Sequence, residues 1–208
     1  SFDELITDKK MLTYEKIDFE VLSLARKIIK NILKGRYQFD SEGEKLFIDS
    51  ERYVRLNYAS SGQQESIWIL LLIFLLILEN QDAFIVFEEP EAHLYPEAQK
   101  EAIDLISLLA NLRQNQIIIT THSPYILSSF NNLIYAHLLG SKKPKEVDGL
   151  VDQRLWIDPD RIGVFMVAKG VMTNIVDEDV PLIKTEAIDN ASEKINHTFD
   201  KLFNLDNE

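Results

Sequence analysis

The chain has 208 residues, 46% of them hydrophobic, which suits about one domain with a substantial core. Lysine and arginine number 22 against 34 acidic residues, and the formal net charge of −12 argues against a broad nucleic-acid footprint on this chain, because phosphate contacts need clustered basic residues. The lack of cysteine excludes disulfides, thiolate metal sites and cysteine nucleophiles.

The chain shows no signal-peptide pattern, and its one long apolar run, Ile67 to Leu78, covers 12 residues, whereas a membrane-spanning helix needs about 20. We therefore expect a buried helix at this run, a cytoplasmic protein and no membrane partner. Nucleic acid remains a partner only through other parts of a larger protein.

The first 57 residues predict a helix followed by short strands. Apolar residues recur with helical spacing from Glu20 to Lys34, and Gly35 is typical of a helix end. Residues Tyr37 to Leu56 indicate short strands joined by a turn at Ser41-Glu42-Gly43.

Residues 58–140 alternate helices with buried strands, which is typical of an α/β fold with a parallel sheet and flanking helices. The predicted elements are a helix through Leu78, a strand from Ala83 to Phe87, a helix from Pro96 to Arg113, a strand from Gln116 to Thr121, a helix opening at Ser123-Pro124 and a strand from Leu133 to Leu139. 

Residues 141–208 predict the end of the same domain. A loop from Ser141 to Gly149 leads into a small antiparallel group with strands at Leu155–Ile157, Gly163–Val167 and Val171–Val176. An amphipathic helix from Glu186 to Leu205 closes the chain.

The first motif is Ser60-Ser61-Gly62-Gln63-Gln64, directly before the long helix. A hydroxyl residue and a glycine at a helix start present free backbone N–H groups and the positive end of the helix dipole, which suits a phosphate. This string alone leaves open a simple serine N-cap with a flexible turn.

The second motif is the strand that ends in Glu88-Glu89-Pro90-Glu91. It places negative charge at the carboxyl edge of the sheet, where α/β proteins bind ligands, and adjacent residues such as Glu88 and Glu89 point to opposite faces. Three acids so close together repel one another unless water, Mg²⁺ or a base relieves them. A solvated strand end is the alternative.

The third motif is His122, which a buried strand delivers to the same sheet edge, just before Ser123-Pro124. A near-neutral imidazole can donate a hydrogen bond to a phosphate oxygen. A purely structural histidine is the alternative. The order of the three motifs along the chain points to a nucleotide site more strongly than any one of them.

With these motifs the chain resembles the ABC ATPases of the soluble SMC-like and RecF-like branch, and in particular predicted ATPases of bacterial anti-phage systems (Septu-type and OLD-type). The resemblance is carried by the strings Ala59 to Gln63, Phe84 to Pro96 and Thr120 to Pro124, which match the signature, the Walker B motif with its D-loop, and the switch-histidine loop. It implies a partial P-loop NTPase fold, with ATP and Mg²⁺ as cofactors.

The resemblance also assigns roles to single residues. Glu88 takes the position that contacts Mg²⁺, Glu89 the position that polarises the attacking water, and His122 the position that contacts the γ-phosphate. The family usually has aspartate where Glu88 stands, a difference that still leaves oxygen ligands for the metal.

The remaining implied sites concern a second ATPase protomer, which most simply makes a homodimer. The signature residues Ser60, Ser61, Gly62 and Gln63 would close over ATP held by that protomer. The loop residues Ala92, His93 and Leu94 would lie where the D-loop crosses the dimer interface.

No Gly-x-x-x-x-Gly-Lys-Ser/Thr loop occurs among the 208 residues. We therefore expect the chain to be the C-terminal part of a longer ATPase and to be inactive alone. The second hypothesis is a non-catalytic subunit without this loop, which lends its signature face to a partner ATPase.

The third hypothesis is a nuclease, because Asp158-Pro159-Asp160 has the spacing of a Toprim metal motif, a site carried by OLD-type proteins. The remaining tail is short for a Toprim domain, so we interpret the motif as a polar turn. A separately encoded nuclease or other effector partner remains compatible with the sequence.

Overall fold

A helix and three short antiparallel strands open the part of the chain that the structure describes. The structure is a computed structural model and describes residues 18–80, 82–185 and 196–203. Helix α1 spans Phe19–Leu33, and Asp18 caps it by accepting hydrogen bonds from the backbone N–H groups of Glu20 and Val21. The predicted short strands are confirmed as β1 (Arg36–Asp40), β2 (Gly43–Phe47) and β3 (Tyr53–Arg55), which form an antiparallel meander.

Helix α2 spans Ser61–Glu79 and follows a short 3-10 turn at Leu56–Tyr58. The prediction of a buried helix is confirmed for one face, where Ile67, Ile73 and Phe74 are almost fully covered. The other face is open, since the side chain of Trp68 is 63% exposed. By length and composition α2 could also cross a membrane, although a core helix passes the same test and 44% of its apolar window is buried.

Strands β4 (Phe84–Glu88) and β5 (Gln116–Thr120) pair in parallel, and helix α3 (Pro96–Asn111) connects them. One face of this pair lies on the core, with Phe87 only 5% exposed. Helix α4 spans Pro124–Gly140 and packs on α3. The chain therefore has the α/β fold that the alternating pattern predicted, and both strands end at the same edge.

Helix α3 buries an acidic side chain. Asp104 is 3% exposed and forms an ion pair with Lys100 one turn earlier. Burial raises the pKa of Asp104 to about 6, although the Lys100 ammonium opposes the shift.

The prediction of a strand from Leu133 to Leu139 is wrong, because these residues form the last turns of α4. Short apolar runs suit helix and strand equally well. Here Ser123 caps the helix, Pro124 occupies its first turn, and the buried residues Leu133, Ile134 and Ala136 line one helical face.

The C-terminal third contains further corrections. The predicted loop from Ser141 to Gly149 includes a short helix, α5 (Pro144–Asp148), with proline in its first turn. The predicted strand at Leu155–Ile157 is wrong, because Gln153–Leu155 forms a 3-10 turn that Asp152 caps through the N–H of Arg154.

The other two predicted strands are confirmed as the antiparallel pair β6 (Phe165–Ala168) and β7 (Val171–Asn174). The Asp158-Pro159-Asp160 motif lies in a 3-10 turn at Pro159–Arg161, and Asp158 accepts a hydrogen bond from the N–H of Asp160 at 3.0 Å. This geometry agrees with the prediction of a polar turn.

Of the predicted closing helix, residues 196–203 are helical, and the rest of it lies outside the described residues. One hydrophobic cluster runs from Val21 to Ile183 and includes residues of all three predicted regions. The division of the chain into 1–57, 58–140 and 141–208 stays a prediction.

Candidate functional site

The carboxyl ends of β4 and β5 bring the second and third motifs together. Glu88 and Thr120 are partners in the parallel register, so the residues after them start from the same edge of the sheet. The N–H of Glu89 donates a hydrogen bond to the carbonyl oxygen of Thr120 at 2.9 Å. Glu88 itself is exposed at this edge.

Glu89 and His122 lie next to each other. The Oε1 atom of Glu89 is 3.4 Å from the Nε2 atom of His122, and the two side chains are 48% and 89% exposed. A carboxylate–imidazole contact this open to solvent contributes little to folding stability. Both groups are available to a ligand from solvent.

The backbone of Glu89 is unusual, with φ at +45°. Non-glycine residues adopt the left-handed region rarely, and such residues concentrate at functional sites. The turn that begins here is closed by a hydrogen bond from the N–H of Ala92 to the carbonyl oxygen of Glu89, at 2.9 Å.

The start of α2 forms a capping box. The Ser60 hydroxyl accepts a hydrogen bond from the N–H of Gln63 at 3.4 Å, and Gln63 Oε1 accepts one from the N–H of Ser60 at 3.1 Å. The Gln63 amide group also donates to the carbonyl oxygen of Leu33 at 2.7 Å. The box does not use the backbone N–H groups of Ser61 and Gly62 in the first turn of the helix.

Gly62 brings the signature segment against the loop after β4. A Cβ atom at this position would overlap the carbonyl oxygen of His93, so the close approach requires glycine. One turn along the helix, Glu65 Oε2 lies 3.4 Å from the Nε2 atom of His93. The first motif thus contacts the loop that the second motif begins.

The loop residues Ala92 and His93 are exposed, whereas Leu94 is half-buried. The N–H of Leu94 donates to the carbonyl oxygen of Glu91 at 2.9 Å, and His93 has φ at +60°. The predicted dimer-interface loop therefore offers two exposed side chains to a partner, and its place in an interface stays a prediction.

Glu91 is a functional candidate that the sequence analysis left without a role. It is only 8% exposed, although its two acidic neighbours are open to solvent. Its Oε1 atom accepts hydrogen bonds from the Thr121 hydroxyl and, at 3.1 Å, from the N–H of His122. The run of acids indicated a site, but nothing in the sequence showed which of the three side chains would be buried.

The donor groups at this edge fit Mg²⁺ with a phosphate ligand. Within residues 18–80, 82–185 and 196–203, no three histidine or acidic side chains converge as a metal cage. Magnesium usually takes one or two carboxylates and completes its shell with water and substrate phosphates. A single exposed carboxylate such as Glu88 is the kind of ligand that this arrangement needs.

A family model described as an AAA ATPase domain matches residues 3–127, which is more than half of the chain and includes all three motifs. No curated protein matches the chain. A solved structure, from work on the structural biochemistry of ATP-driven dimerization and DNA stimulated activation of SMC ATPases, is 14% identical with a TM-score of 0.46. That similarity covers 85% of this chain and 94% of the other.

Proposed function

Because the chain belongs to the AAA ATPase domain family, we propose that it forms the hydrolytic and signature faces of an ATPase that closes around Mg-ATP between two protomers. The observation that carries the proposal is the pairing of Glu89 with His122, 3.4 Å apart at the carboxyl edge of a parallel sheet. Ligands bind at this edge in α/β folds.

Glu89 and His122 have complementary roles in this proposal. The Glu89 carboxylate accepts a hydrogen bond from the attacking water and orients its lone pair towards the γ-phosphorus. The His122 imidazole donates a hydrogen bond to a γ-phosphate oxygen, where negative charge has to be held. Phosphoryl transfer relies mainly on such positioning and charge stabilisation.

Glu88 would supply an oxygen ligand to the metal. The chemistry that Mg²⁺ would supply at this position is positive charge that offsets the negative charge of the phosphate groups. Because the Glu88 carboxylate is exposed and Glu89 follows it directly, the two acids can face the metal and the water from adjacent positions.

The signature segment would act on ATP held by the second protomer. The capping box leaves the N–H groups of Ser61 and Gly62 unused. They lie at the N-terminus of a helix of 19 residues, where the helix dipole attracts anions. The capping box and the Gly62 contact hold this end of α2 in place without ligand. Ala92 and His93 would lie at the same interface.

The phosphate-binding loop has to come from outside these 208 residues, since the sequence contains no such loop. A preceding segment of the same polypeptide would make the protein an ATPase in itself. A second chain that carries the loop would make this protein a partner subunit that lends its signature face. Reading upstream in the gene for a Gly-x-x-x-x-Gly-Lys-Ser/Thr string distinguishes the two.

The proposal extends to the cellular process that ATP hydrolysis drives. The sequence resemblance favours anti-phage defence or DNA transactions, with a separate effector or nuclease among the partners. The net charge of −12 argues against a broad nucleic-acid surface on this chain, so any contact with nucleic acid would be made by other parts of the assembly.

A calorimetric titration of the chain with Mg-ATP, beside a His122→Ala variant, tests the proposal. We expect no detectable binding by the chain alone, because the missing loop supplies most phosphate contacts. Adding the upstream or partner segment that carries the loop should restore binding. Micromolar binding by the chain alone that disappears in His122→Ala would contradict this assignment, since it would mean a nucleotide site built without the loop.

A further inference from the structure

Two side chains to which the sequence analysis gave no role, Glu91 after β4 and Gln99 at the start of α3, contact the loop after β5. Glu91 makes the first connection. Its Oε1 atom accepts hydrogen bonds from the Thr121 hydroxyl and from the backbone N–H of His122. Hydrogen bonds to a carboxylate are stronger than those between neutral groups, so this contact fixes the backbone of His122 itself.

Gln99, on the first turn of α3, makes the second connection. Its Oε1 atom accepts a hydrogen bond from the Ser123 hydroxyl at 2.6 Å, and its Nε2 atom donates one to the carbonyl oxygen of Leu94 at 2.9 Å. The Ser123 hydroxyl in turn accepts from the N–H of Tyr125 and caps α4. Both residues that flank His122 are therefore held by side chains from one continuous stretch, the β4–α3 loop and the first turn of α3.

The same connection contacts the start of α2 from its other side. His93 meets Gly62 through its carbonyl oxygen and Glu65 through its imidazole, as described above. The described contacts thus run without a gap from the signature segment, through residues 91–94, to His122.

Stability alone does not explain the placement of Glu91. Its Oε2 atom is buried and has no hydrogen-bond partner among the described residues. Burying a carboxylate with an unsatisfied oxygen is costly, and an apolar side chain in the same place would avoid that cost. A functional constraint on the loop that it holds accounts for an acid here.

We infer that Glu91 and Gln99 are positioning residues that hold the segment Thr121–Ser123 against residues 91–94, so that the pose of the His122 imidazole depends on the start of α2. The catalytic consequence rests on the proposed function, in which His122 acts on a phosphate. The structural part, the ordering of the His122 loop, stands without it.

Hydrogen exchange tests the structural part. It is measured by mass spectrometry on peptides covering residues 117–125, in the wild-type chain and in Glu91→Leu, Glu91→Gln and Gln99→Leu. Glu97 is an exposed acid on α3, the helix that carries Gln99, and Glu97→Leu is the matched control. Glutamine can keep both accepted hydrogen bonds through its amide oxygen, whereas leucine keeps neither.

We expect exchange at Thr121–Ser123 to rise at least about tenfold in Glu91→Leu, and to rise in Gln99→Leu, while Glu91→Gln and Glu97→Leu stay near wild type. In the intact ATPase, Glu91→Leu should lower kcat and leave the KM for ATP nearly unchanged, with Glu91→Gln restoring most of kcat.

Wild-type exchange in both Glu91→Leu and Gln99→Leu would overturn the inference, as would a Glu91→Gln variant as damaged as Glu91→Leu. If Glu91→Leu fails to fold, Gln99→Leu decides by the same criterion. An intact protein without ATP hydrolysis would refute the proposed function and leave the exchange result to judge the positioning role.

Discussion

The Oε1 atom of Glu89 lies 3.4 Å from the Nε2 atom of His122, and both side chains reach solvent at the end of the parallel strand pair. The two residues follow different strands, 33 positions apart in the chain, and meet because β4 and β5 run in the same direction. An acid and an imidazole this close together can contact one phosphoryl group and its attacking water from the same side.

Replacing Glu89 by glutamine in the intact ATPase should lower kcat for ATP hydrolysis by about 100-fold or more and leave ATP binding in place, because the amide cannot accept a proton from water. Steady-state hydrolysis and equilibrium binding measured on the same preparation test this. Glu97→Gln, on the exposed side of α3, is the control and should keep wild-type rates. Unchanged hydrolysis in Glu89→Gln would show that Glu89 does not orient the water.

Replacing Gly62 by alanine should destabilise the chain by about 1–3 kcal/mol, because the added methyl group overlaps the carbonyl oxygen of His93 and the backbone has to move. Urea unfolding gives the free energy of unfolding. At Gly149 a Cβ would meet backbone only at 3.5 Å, and φ is −65°. Gly149→Ala should therefore be neutral or stabilising by about 0.4–1 kcal/mol. Equal losses at the two positions would refute the close contact.

The buried Asp104 predicts a pH dependence of stability. Its pKa in the folded state is raised to about 6 from an ordinary value of 3.8, so the folded state binds the proton more tightly than the unfolded state does. The contribution of Asp104 to the free energy of unfolding is therefore largest at low pH. It falls as the pH rises from about 4 to about 6 and stays level above that.

Full ionisation of Asp104 lowers the free energy of unfolding by about 3 kcal/mol relative to the protonated form. Asp104→Asn should remove the fall between pH 4 and 6, measured by urea unfolding across that range. The exposed Glu97 serves as the control, since Glu97→Gln should leave the slope as in the wild type. A slope that survives in Asp104→Asn would assign the pH dependence to other groups.

The outer face of the β4–β5 pair predicts self-association of the isolated chain. Phe84, Val86 and Ile118 lie on this face and are 65%, 55% and 48% exposed. Parallel sheets are normally covered on both faces, and within the described ranges this sheet has only two strands, so its edges are also unpaired.

Sedimentation velocity of the 208-residue chain should show oligomers, and Phe84→Ser combined with Ile118→Thr should shift them towards monomer. Leu150 is 87% exposed on a separate turn, so Leu150→Ser should not change the distribution. A monomeric wild-type chain at tens of micromolar would contradict the prediction.

The parts of the fold that could be predicted are those in which local signals agree. Ser60 precedes the long apolar helix and does cap α2, and Pro96 and Pro124 stand in the first turns of α3 and α4. The strand from Leu133 to Leu139 was wrong because leucine and isoleucine in a short run satisfy either period, and only the neighbouring helix decides between them.

For the candidate site, the meeting of Glu89 and His122 followed from strand direction and could be anticipated. The inward turn of Glu91 could not, because three nearby acids look alike in sequence and only the position of Thr121 shows which one finds donors. The contact of Gly62 with His93 could not be predicted for a similar reason, because neither sequence segment shows how closely the two backbones approach.

The left-handed backbone at Glu89 has an evolutionary consequence. At a φ of +45° a glycine or asparagine fits better than glutamate, by about 1 kcal/mol, so this position sacrifices folding free energy for its carboxylate. A library of substitutions at position 89 sorted for thermal resistance should therefore enrich glycine and asparagine, whereas the same library sorted for hydrolysis should return glutamate. Selection for stability and selection for ATP hydrolysis therefore favour different residues at position 89.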